Sequence, residues 1–135
     1  MGARTYRELE CWQLARELKC EVLAFTATGA AKRDRDFCAA IRDSARSAPS
    51  NISEGFGRET HRDFANFLAI ARASIMETDN HLIDARDSNY IEAAQYVKLT
   101  RLARGALVTT TRLQSYLLRT PDYRTRGQTN PRRRR

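Results

Sequence analysis

The stretch Asn51–Phe64, NISEGFGRETHRDF, is a joint between two periodic segments. Before it, Phe37, Ile41, Ala45, Ala48 and Ile52 recur every three or four residues. After it, Phe64, Phe67, Leu68, Ala71, Ile75, Thr78, Leu82 and Ala85 do the same. That spacing lines up one face of an α-helix. Within the joint, Gly55 and Gly57 read as left-handed residues that close the first helix. Thr60-His-Arg-Asp63 reads as a capping box that opens the second. Long helices joined by a short loop pack as antiparallel neighbours.

Reading outward adds two more helices. From Tyr6 to about Thr26, Cys11, Leu14, Ala15, Leu18, Val22 and Phe25 share one face. A second strip, Leu9, Trp12 and Leu23, lies about 100–140° away. One core needs one apolar face per helix, so this surplus strip is expected at an oligomer interface. Thr28-Gly29 interrupts the pattern, and the charged run Lys32–Asp36 leads to Asp34 or Asp36 as N-cap of the next helix. Pro49 is expected to kink that helix. Ser88-Asn89 ends the third helix, and the fourth, from about Ile91 to Leu118, would bury Leu99, Leu102, Ala106, Leu113 and Leu117. The expectation is an all-α, up-down-up-down antiparallel four-helix bundle over residues 1–119. Residues 120–135, with six arginines and one aromatic, should form a flexible basic tail that cannot repay its ordering entropy.

A chain of 135 residues, 41% hydrophobic and 30% charged, fits one domain. No apolar run reaches the ~20 residues of a membrane span, and the first residues lack the apolar core of a signal peptide. The expected location is the cytoplasm. Three cysteines without a C-x-x-C pair argue against a disulfide framework or zinc site and read as small, partly buried residues.

Charge is unevenly distributed. Residues 1–90 hold 13 Lys/Arg and 14 Asp/Glu, whereas residues 91–135 hold 11 and 2, so the net +8 is −1 plus +9. Lys98, Arg101, Arg104, Arg112 and Arg119 fall within an arc of about 120° on the fourth helix. With Arg132, Arg133, Arg134 and Arg135 of the tail, they are the expected nucleic-acid-binding residues, because guanidinium suits phosphate and Glu92 is the one acid near the stripe.

The joint concentrates polar groups, but their spacing argues against chemistry. A di-iron bundle needs paired Glu-x-x-His motifs, which this chain lacks. Two histidines leave little for a nucleophilic triad. Bundle ribonucleases of the HEPN type carry Arg and His four to six residues apart on one helix. Here Arg58 stands too near His61, and Arg72 too far from His81. Asn51, Glu54, Ser74 and Glu77 are therefore expected to form a structural polar seam, with no metal, cofactor or catalytic residue.

NISEGFGR followed by Phe64, Phe67, Leu68, Ile70, Ala71, Ser74 and Glu77 resembles the small bundle proteins encoded within intervening sequences of bacterial 23S rRNA genes. Tyr6, Leu9, Trp12, Gln13 and Ala15 are similar to that family's first helix. The resemblance covers residues 6 to about 118. It extends to the accessory protein of diversity-generating retroelements, a basic five-fold ring that works with a reverse transcriptase and RNA. It implies a homopentamer and no established active site. The combined expectation is a non-enzymatic, oligomeric nucleic-acid-binding or accessory protein. The alternatives are a scaffold facing an acidic protein and, behind it, a bundle ribonuclease.

Overall fold

A computed structural model of the chain describes residues 2–120 and Asp122. A 3-10 turn at Tyr6–Glu8 precedes α1 (Glu10–Thr26), α2 (Gly29–Arg33), α3 (Arg35–Phe56), α4 (His61–Asp87) and α5 (Ala93–Arg119). The four long helices are the expected ones. Helix α2 is an added turn inside the α1–α3 connection, entered through Gly29 at φ +68°. α3 packs on α4, α4 on α5, and α1 closes the square against α3 and α5. With sequential helices adjacent, this is the up-down-up-down order that short connections favour.

The core follows the periodicity closely. Leu18, Val22, Ile41, Ile52, Leu68, Ile75, Leu82 and Leu99 are buried at 1% exposure or less. Leu14, Leu102 and Leu113, expected inside, lie half-buried at its margin. Pro49 is buried within α3, and the helix continues through it to Phe56.

Helix ends are closed by specific bonds. Asp34 Oδ1 accepts from the Phe37 amide at 3.1 Å, which identifies it as the N-cap of α3. Its other oxygen accepts from the Tyr90 hydroxyl at 2.6 Å, tying the α2–α3 junction to the α4–α5 turn. These bonds, Tyr90 first, hold the Asp34 carboxyl below the usual carboxylate range, and the same contact raises Tyr90. Asn89, at φ 59°, is the left-handed residue that ends α4. At the other end of α4, Thr60 Oγ1 accepts from the Asp63 amide at 3.1 Å, the forward half of the capping box.

The glycines of the joint act differently from expectation. Gly57 has φ −77°, and Gly55 lies inside α3, so neither is left-handed. Gly55 is instead a point of close approach between α3 and α4: a β-carbon there would meet Phe67 and Phe64 within 3 Å.

Candidate nucleic-acid interface

Helix α5 turns Leu99, Ala103, Ala106, Thr110 and Leu117 into the core, which leaves the opposite arc to solvent. Lys98, Arg101, Arg104, Arg112 and Arg119 are all exposed on it. They are not equivalent. Lys98 Nζ sits 3.1 Å from Glu21 Oε1 of α1, so a neighbouring helix supplies a counter-charge that the α5 sequence did not reveal. Arg119 Nε donates to the Ser115 carbonyl at 3.2 Å. Among the described residues, Arg101, Arg104 and Arg112 have no ion-pair partner, which makes them the available cations of the stripe. Arg132–Arg135 lie outside the described residues.

Beside this stripe runs a groove of about 600 Å³ between α4 and α5. Ile75, Ala103 and Leu107 lie along it with Met76, Ile83 and Val97, and Arg101 and Arg104 line its α5 side. Asp79 and Asn80 line it from α4. Periodicity did not predict this feature. The available signal was six large apolar residues left over once the core faces of α4 and α5 had been assigned, and three of them line this groove.

A polar seam does join α3 to α4, with partly different members. Asn51 Nδ2 donates to the Ser47 carbonyl at 2.8 Å, and Ser47 Oγ meets Ser74 Oγ at 2.8 Å. Thr78 Oγ1 lies 2.8 Å from both Ser44 Oγ and the Ser74 carbonyl, and Ser44 Oγ donates onward to the Ile41 carbonyl at 3.1 Å. Asn51 and Ser74 thus take the expected part. Glu54 and Glu77 do not: their side chains are 57% and 62% exposed. Glu54 faces Arg58 at 3.4 Å, and Glu77 stands 3.6 Å from His81 Nε2. A carboxylate at a bundle margin keeps its charge hydrated, whereas hydroxyls satisfy one another inside at little cost.

The surplus strip of α1 also divides. Leu9 is only 7% exposed in the single chain, because it is the residue from which α1 starts and it turns into the core. It is therefore not available to an interface. Trp12 is half-buried edge-on against Tyr6, with ring centroids 5.3 Å apart, and Leu23 is half-exposed.

His61 is a structural residue of the α4 start. Its Nδ1 donates to the Thr120 carbonyl at 2.7 Å, and the Asp122 carboxylate accepts from its backbone amide at 3.0 Å. The start of the C-terminal segment is thereby pinned to the α3–α4 joint. Cys11 and Cys38 are buried, and burial pushes the Cys11 thiol up to about 11. Cys20 is exposed, contrary to the expectation that all three are partly buried. Among the described residues no His, Cys, Asp and Glu group is placed to hold a metal ion, and no helix is long and apolar enough to cross a membrane.

No curated protein matches the chain. Residues 7–107 match the family described as 23S rRNA-intervening sequence protein, spanning α1 to α4 and half of α5. With the bundle, the joint and most of the length in agreement, the chain belongs to the 23S rRNA-intervening sequence protein family.

Proposed function

We propose that this chain is a non-enzymatic nucleic-acid-binding protein that holds phosphates along α5 and through its arginine-rich C-terminal segment. The observation that carries the reading is the row Arg101, Arg104 and Arg112, exposed on one helix face with no carboxylate partner among the described residues. Three guanidinium groups held on a rigid helix present fork-shaped donors to successive phosphates without first breaking ion pairs. The six arginines beyond Asp122 add a second basic element, rooted beside α4 by the His61 contacts. The family's name, which refers to intervening sequences of 23S rRNA, agrees with a nucleic-acid setting, and the location that goes with this reading is the cytoplasm.

Self-association belongs to the same reading. The resemblance to retroelement accessory proteins implies a homopentamer, and assisting a reverse transcriptase–RNA complex is one role open to such a ring. Trp12 and Leu23 are the members of the α1 strip left to such an interface.

Salt dependence tests the proposal. Phosphate contacts release counterions, so the slope of log K against log salt should be about −3 to −4 for roughly five contacts on a single strand. Deleting residues 121–135 removes six arginines and one aspartate, a change of −5, and should flatten the slope while the bundle stays folded. Converting Arg101, Arg104 and Arg112 to Glu should abolish binding. A wild-type protein that fails to bind at moderate salt would sink the reading in favour of a protein scaffold.

A further inference from the structure

We infer that the groove between α4 and α5 takes the bases of a single-stranded nucleic acid while Arg101 and Arg104 hold its phosphates. The inference rests on the phosphate-binding reading and narrows it to one class of strand. Its first support is where apolar surface is exposed. Six large hydrophobic side chains are exposed among the described residues, and three of them, Met76 at 57%, Ile83 at 37% and Val97 at 43%, line this one groove. Apolar surface gathered into a concave site is a place for apolar ligand surface, and nucleobase faces are such surface.

Charge across the groove gives the orientation. Its α5 side carries Arg101 and Arg104, and its α4 side carries Asp79 and the amide of Asn80. A nucleotide fits that polarity one way round: phosphate on the α5 arginines, base over Met76 and Val97, base edge toward the α4 polar groups. Both side chains are suited to such edges, since the Asn80 amide can donate and accept and the Asp79 carboxylate accepts.

The same polarity disfavours a duplex. Neighbouring helix axes lie ~8–10 Å apart, comparable to the ~6–12 Å between phosphate rails across a duplex groove. A duplex seated on the arginines would set its second rail over α4, where Asp79 lines the groove and the cation beside it, Arg86, is stacked on Tyr96 and paired with Asp87. Its bases would also be stacked away from the apolar surface. A single strand needs one cationic rail and has bases to spare.

The test measures the full-length protein by fluorescence anisotropy, at one salt concentration, against a 20-nucleotide RNA and the same RNA annealed to its complement. Wild type should bind the single strand at least about tenfold more tightly, the scale of covering the exposed part of one or two apolar side chains. The double variant Met76→Ser/Val97→Ser should lose about that factor for the single strand only, with duplex affinity, salt slope and helical content unchanged. Both positions are exposed, so the bundle does not depend on them. Equal affinities for the two RNAs, untouched by the variant, would overturn the groove inference and leave the phosphate reading standing. Absence of binding to either RNA at low salt would overturn both. Two further results would overturn the inference by naming another occupant: a change in particle mass for the variant, indicating self-association, or displacement of the strand by poly-glutamate at equal charge, indicating an acidic protein.

Discussion

A β-carbon on Gly55 would stand 2.7 Å from the Cβ of Phe67, closer than side chains pack. Phe67 Cβ is fixed to the α4 backbone, so α3 and α4 would have to separate to admit it. The Gly-Phe-Gly sequence in the joint therefore sets an interhelical distance rather than a turn conformation. Gly55→Ala should destabilise the protein by about 1–3 kcal/mol, the usual cost of overpacking. Gly57 makes no such contact, its nearest neighbour being the Glu54 carbonyl at 3.5 Å. Gly57→Ala should be neutral or slightly stabilising, by up to ~1 kcal/mol through the unfolded chain. Urea unfolding of the two variants checks the contrast; equal losses would remove the close-approach explanation.

The seam between α3 and α4 predicts a second contrast. Thr78 is fully buried, and its hydroxyl contacts Ser44 Oγ and the Ser74 carbonyl. Thr78→Val keeps the shape but removes the hydroxyl that meets Ser44 Oγ inside the core, which should cost about 1–3 kcal/mol. Glu77→Gln, one residue earlier on an exposed side chain, should stay within about 0.5 kcal/mol. Thermal unfolding distinguishes them, and a larger loss for Glu77→Gln would return that carboxylate to the seam.

The Asp34–Tyr90 bond predicts a pH dependence at both extremes. Asp34 is held below its ordinary value, so its contribution is complete above the unfolded carboxyl value of ~3.9 and is lost as pH falls through the folded value. Tyr90 is raised, so its contribution is complete below ~10 and is lost as pH rises through its folded value. Tyr90→Phe should thus be less stable than wild type at pH 7, and the difference should narrow in strong acid and in strong alkali. Equal stability of the two proteins across the whole pH range would show that the hydroxyl bond contributes nothing.

Thiol labelling at pH 8 gives a simple check of the core. Cys20 is exposed, whereas Cys11 and Cys38 are buried, and the Cys11 thiol titrates near 11. One thiol per chain should react rapidly in the folded protein and three after denaturation. Rapid labelling of Cys11 would contradict the packing of α1 on α5.

The residues alone determined the all-α class, the four long helices and most of the core, because a 3.6-residue apolar repeat has one way of being buried. Asp34 and Thr60 as caps were legible for a similar reason: a cap is a bond between residues three apart. Only the tertiary structure decided which polar groups meet across helices. Ser44, Ser47 and Thr78 joined the seam because their helices face each other there, while Glu54 and Glu77 stayed in water. It also decided that Leu9 belongs to its own core, that Glu21 occupies Lys98, and that Met76, Ile83 and Val97 line one groove with Arg101 and Arg104. Sequence periodicity reports the face a residue occupies on its own helix. Partners on another helix depend on rotation and offset between two axes, and those are set by packing contacts such as Gly55 against Phe67.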